Sequence, residues 1–173
     1  MRWEALFADL EAQLDAGRRA DLQADLAERV RAERASVSIA DRVRAASGVR
    51  LRVWLLGGTV VEGVVADAAS QWLLLADGAR QVLVPTAAVA GVGGLAADAA
   101  PPPGVVERRL SLGHALRALA RDRAPVVVVA DGYELAGRLE RVGADHVDVT
   151  PTGGPTAAAR AVPFAALRAV RTG

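Results

Sequence analysis

The chain has 173 residues, a formal net charge of +1 and 52% hydrophobic residues. It contains no cysteine, which excludes disulfides, thiol catalysis and cysteine-ligated metals. Its near-zero charge excludes steering of an anionic partner by the field of the whole molecule. Lysine and asparagine are also absent, so arginine carries every permanent positive charge, and residues 101–173 hold ten arginines against seven carboxylates.

Residues 2–46 read as helix. Trp3, Leu6, Phe7, Leu10 and Leu14 follow one helical face, and Leu22, Leu26 and Val30 continue at a spacing of four. Gly17 is the expected break between the two runs. The segment suits either a coiled-coil or partner-binding arm, or a helix packed on the rest of the chain. No signal-type apolar core opens the sequence and no stretch approaches the length of a membrane span, so the expectation is a cytoplasmic protein with no membrane partner. Ser38-Ile39-Ala40-Asp41 has the form of a capping box and predicts a short helix ending near Gly48.

From Val49 the hydrophobic period changes to two. Val49, Leu51, Val53 and Leu55 alternate with Arg50, Arg52 and Trp54, and Gly57-Gly58 predicts a tight hairpin turn. In the next strand Val61, Gly63 and Val65 share one face, and Gly63 suggests a sharp bend or bulge. Leu73 and Leu75 are expected inside, with Trp72 and Leu74 outside. Asp77-Gly78 signals a second hairpin, Gln81 to Val84 a fourth strand, Pro85 to Ala88 a single helical turn and Val89 to Val92 a fifth strand.

Residues 93–107 have the Ala/Pro/Gly composition of a linker. Ser111 is then expected to cap a helix with Leu112, Ala115, Leu116 and Leu119 on its apolar side, followed by a second set of strands opening at Val126 and turning at Asp131-Gly132. Residues 150–160 read as a looser connection, and Val162 to Val170 repeats the ending of the first set. The two sets correspond: Gly58 with Gly132, Gly63 with Gly137, and Pro85 with Pro163. The sequence therefore predicts an N-terminal helical arm over 1–37, a first unit over 38–92, the linker over 93–107 and a second unit over 108–173.

A short helix, then five strands with glycine at the first turn and within the second strand, resembles the Sm-like small barrel and its SH3-like relatives. The residues that carry the resemblance are Gly58, Gly63, Leu73 and Leu75, and then Gly132, Gly137, Val147 and Val149. The resemblance implies an α+β fold: the helical arm followed by two small five-stranded barrels, each preceded by a short helix. Where RNA-binding Sm members place a basic-glycine pair, this chain has Pro85-Thr86-Ala87-Ala88 and Pro163-Phe164-Ala165-Ala166. The layout as a whole is similar to an actinobacterial family to which no activity attaches. The bias toward arginine, alanine and valine fits the codon usage of such a GC-rich source and carries no functional signal.

No constellation of catalytic or metal-ligating residues emerges. His114 and His146 are the only histidines, and they fall in different kinds of element. Ser111 with His114 reads as a cap, and Gly91-Val92-Gly93-Gly94 lacks the strand-helix context of a phosphate loop. The expectation is a protein without enzymatic activity or cofactor. Two surfaces stand out. Trp54, Val60, Val64, Trp72 and Leu74 form an apolar outer face on the first unit, whereas the second unit has Val128, Glu134, Arg138, His146 and Asp148 there. Such a face needs a cover: the chain's own N-terminal helix, which is favoured, the other unit, or a protein partner. The second surface is the arginine cluster Arg108, Arg109, Arg117, Arg121 and Arg123, suited to phosphate contacts. The leading functional expectation is a binding or scaffolding protein acting through the apolar face and the arm. The alternative is a nucleic-acid-binding protein using the arginines.

Overall fold

The structure is a computed structural model that describes residues 2–105, 107–152 and 158–173, without the side chains of residues 2–10, 12 and 108. The chain divides into two units, Met1–Val37 and Ser38–Gly173.

The first unit is a single helix, α1 (Arg2–Ser36). It runs through Gly17 without the expected break, because one glycine in a helix interior costs only about 1 kcal/mol against alanine and the 35-residue helix continues on both sides of it. Leu14, Leu22, Leu26 and Val30 are exposed.

The second unit opens with α2 (Ile39–Ala45), whose capping box forms as expected: Ser38 Oγ accepts from the Asp41 amide at 3.1 Å, and Asp41 Oδ2 accepts from the Ser38 amide at 3.2 Å. Five strands follow: β1 (Arg50–Leu55), β2 (Val60–Ala68), β3 (Trp72–Asp77), β4 (Arg80–Pro85) and β5 (Val89–Gly93). After α3 (Leu112–Asp122) come β6 (Val126–Ala130), β7 (Tyr133–Val142), β8 (His146–Pro151), β9 (Arg160–Pro163) and β10 (Leu167–Thr172). The turns fall where glycine supplies the left-handed backbone, notably Gly57 (φ 90°), Gly58 (φ 89°) and Gly132 (φ 82°). Val49, expected inside, precedes β1 and is exposed.

The expectation of two separate five-stranded barrels is overturned. All ten strands form one antiparallel sheet in the order β5-β1-β2-β3-β4-β10-β6-β7-β8-β9. The joint is β10, which pairs with β6 along one edge and with β4 along the other, Val170 opposite Leu83 and Thr172 opposite Gln81. Two separate units would leave both of those edges with unpaired amides and carbonyls, and pairing them removes that liability. The apolar cores interlock in the same way. Val129 and Ala169 from the second half bury in the cluster built around Leu51, Val53 and Leu75, while Ala69, Trp72 and Leu83 from the first half bury in the cluster around Leu116, Val128 and Val147. A half of this size has a marginal core by itself, and each takes its complement from the other.

The mid-strand glycines also act differently from expectation. Gly63 and Gly137 are not bulge residues. A Cβ on Gly63 would stand 2.9 Å from the Ala76 carbonyl oxygen, and one on Gly137 would overlap the carbonyl of Thr150. They are sites where a neighbouring strand approaches closely. The bulges come three residues later, between Val65 and Asp67 and between Leu139 and Arg141.

The 93–107 stretch is tied to α2. Arg42 donates to the Leu95 carbonyl at 3.3 Å and twice to that of Ala96, through Nε at 3.0 Å and Nη2 at 2.6 Å. The Ala100 amide donates to the Asp41 carbonyl at 2.9 Å. Arg44, its side chain only 8% exposed, reaches the Pro101 carbonyl at 3.0 Å and pairs with Asp41 at 2.9 Å and Glu107 at 3.5 Å.

Candidate functional site

The apolar face expected on the first half separates into two parts. Trp72 is 7% exposed and Leu74 half-buried, both against the cluster that holds Leu112 and Leu116 of α3. The Trp72 indole N–H donates to the Leu110 carbonyl at 2.9 Å, and Gln71 Oε1 accepts from the Leu112 amide at 3.0 Å. The cover over this part is thus the second half of the chain. The second half has His146 and Asp148 at the matching positions. His146 is half-buried and pairs at 2.9 Å with Asp145, whose carboxyl is held below the usual range chiefly by that hydrogen bond.

The remaining part is Trp54 and Val60, paired across β1 and β2 and 41% and 44% exposed, with Val64 half-buried beyond them. The Trp54 ring lies over β5, where a Cβ on Gly93 would meet it at 3.1 Å, and the Arg52 guanidinium stands 5.9 Å from the ring centroid. The charges beside it are paired, Arg52 with Glu62 and Arg50 with Asp77. The side chains of Trp3, Phe7 and Leu10, expected to cover this face, lie outside the described residues.

The arginine cluster is divided. Arg109 belongs to a single turn before α3, and the Arg108 side chain lies outside the described residues. Arg117, Arg121 and Arg123 belong to the far half of the helix, which spans about 16 Å at the standard rise. There a groove of about 590 Å³ is lined by those three, by Ala120, and by Leu139, Glu140, Arg141 and Val142 of β7. The fourth arginine, Arg141, is a residue that the strand pattern misses. In β7 the residues Leu135, Gly137 and Leu139 are buried in alternation, and then Glu140 and Arg141 are both exposed, because the bulge puts two consecutive residues on the outer face. A bulge after the mid-strand glycine is the only sequence signal that could have found it.

Arg123 ends α3 at φ 49°, the only non-glycine residue with a left-handed backbone among those described. Glycine is preferred there, and the chain uses it freely elsewhere, yet this position carries a guanidinium. Arg121 Nε donates at 3.4 Å to the Arg117 carbonyl, partly satisfying the helix end. None of the four groove arginines makes an ion pair among the described residues, whereas Arg44, Arg50, Arg52, Arg168 and Arg171 all do. The groove lining thus holds four arginines without ion pairs and one carboxylate, with Asp122 between Arg121 and Arg123 in the chain and Asp148 across the ladder from Arg141.

Elsewhere, Ser111 and His114 form the helix cap of α3, Ser111 Oγ accepting from the His114 amide at 3.2 Å. Among the described residues no group of three or more His, Cys, Asp or Glu could hold a metal ion, and no helix is long and apolar enough to cross a membrane. Neither protein-family models nor curated proteins match the chain.

Proposed function

We propose that this is a non-enzymatic nucleic-acid-binding protein that holds the phosphate backbone in the groove between the end of α3 and β7. The observation that carries the reading is that Arg117, Arg121, Arg123 and Arg141 line one groove with no ion-pair partner among the described residues. Arginine suits this role because its planar fork of donors matches phosphate oxygens. The net charge of +1 leaves the attraction local, so binding depends on the groove rather than on the whole surface. The location the reading implies is the cytoplasm. The common strand order of the two halves of the sheet supports descent from a duplicated unit, of which only the second half acquired the arginines.

The test is retention on an immobilised polynucleotide at low salt, with the 260/280 absorbance ratio of the purified protein before and after nuclease. The reading expects salt-dependent retention that falls in Arg121→Ala and Arg141→Ala. Clean protein without salt-dependent retention would sink it.

A second reading, a protein-docking face at Trp54 and Val60, rests on their exposure as a cross-strand pair with Leu56, also exposed, close by in the chain. Loss of a co-purifying protein in Trp54→Glu, with polynucleotide retention intact, would favour it.

A further inference from the structure

Glu140 is out of place in an arginine groove unless the ligand offers it something. It lines the groove with four arginines and yet pairs with none of them among the described residues. A carboxylate there repels phosphate, and a site for a simple polyanion gains nothing from it. Its position is set by the backbone: it is the residue at the β7 bulge, between Leu139, paired with Val149, and Arg141, paired with Asp148. The equivalent bulge of the first half, between Val65 and Asp67, has Ala66 there. The groove thus offers donors for an anion, one acceptor beside them, and apolar surface from the half-buried Ala120 and Val142.

A ligand matched to all three carries phosphate, a flat apolar face and an N–H donor. Nucleotides with an exocyclic amino group have these features, whereas uracil and thymine offer only a ring N–H flanked by two carbonyl oxygens that a carboxylate repels. The groove volume of about 590 Å³ is that of a small-molecule site, so it would take one unstacked base of a single strand, with the phosphates on either side of that base against the four arginines. We propose that Glu140 is a specificity-determining residue that accepts a hydrogen bond from the exocyclic amino group of a single-stranded base. This rests on the phosphate-binding reading above.

The test is fluorescence anisotropy with labelled single-stranded dodecamers of deoxycytidine and of deoxyuridine, at neutral pH and fixed salt. The two have the same backbone and differ at the amino group and its ring neighbour. The wild type should prefer the cytidine strand about fivefold to tenfold, the range of one charged acceptor on a base edge. Glu140→Met should bring the two within about twofold by removing that contact, with uridine-strand affinity unchanged or raised. Glu140→Gln, which keeps an acceptor oxygen, should retain part of the preference. Equal affinity of the wild type for both strands, or a preference that survives Glu140→Met, would overturn the role of Glu140 while leaving phosphate binding intact. Salt-dependent binding of neither strand would overturn the underlying reading and this inference with it.

Discussion

The indole N–H of Trp72 on β3 donates to the carbonyl oxygen of Leu110, just ahead of α3, at 2.9 Å. Together with Gln71, which takes the Leu112 amide, it lets the first half of the sheet satisfy backbone groups at the start of a helix from the second. The Trp72 ring fills the core beneath that helix. Trp72→Ala should therefore destabilise by about 3–5 kcal/mol, as for other buried aromatic truncations, and Trp72→Phe by about 1–2 kcal/mol through the lost hydrogen bond. Trp54→Ala, on an exposed residue, should cost less than about 1 kcal/mol. Urea unfolding of the three variants checks the order, and a Trp54 effect as large as that of Trp72 would contradict it.

Gly137 should tolerate no side chain. A Cβ there would overlap the Thr150 carbonyl, a backbone group held in the β7–β8 ladder, whereas at Gly63 the nearest atom is the Ala76 oxygen at 2.9 Å. Gly137→Ala should cost about 2–3 kcal/mol and Gly63→Ala about 1–2 kcal/mol, within the range for overpacking. Thermal melts of both variants test the order, which equal losses would refute.

The capping box of α2 gives a pH dependence with a defined sign. The Asp41 carboxyl is held below its ordinary range chiefly by the Ser38 hydroxyl; burial opposes this, and the Ser38 amide and Arg44 add lesser lowering effects. A depressed carboxylate contributes stability that is fully present above its unfolded value of about 3.9 and is lost as pH falls through the folded value. Asp41→Asn should flatten stability in that acid window, and Ser38→Ala should cost about 1 kcal/mol at neutral pH as a lost cap. Arg44→Ala should raise amide hydrogen exchange across 95–107, since its guanidinium holds Pro101 and Glu107. Unchanged exchange there would show that this stretch is held by other contacts.

Local features were legible in the sequence because they depend on nearby residues. The alternation of Leu51, Val53 and Leu55 gave the buried face of β1, Gly57-Gly58 and Asp131-Gly132 gave the turns, and Ser38 and Ser111 gave the helix starts. The pairing of β4 with β10 joins residues such as Leu83 and Val170 that are far apart in the chain, and no periodicity encodes which edge a strand will meet. Without that pairing the outward position of Trp72 suited the N-terminal helix, the other unit or a partner, and nothing local to it chose the second of these. Arg141 escaped notice for a different reason. A bulge shifts the side-chain alternation by one residue, so strict alternation after the buried Leu139 turns Arg141 inward, whereas it stands exposed beside Glu140.

The most direct test of the central claim is the salt dependence of binding to a single-stranded oligonucleotide, wild type against Arg121→Ala and Arg141→Ala. With three or four phosphates engaged, the slope of log affinity against log salt should be about −2 to −3, and each substitution should make it shallower by about 0.7. A wild-type slope near zero, or slopes unchanged by both substitutions, would contradict the assignment of this groove as the phosphate-binding site.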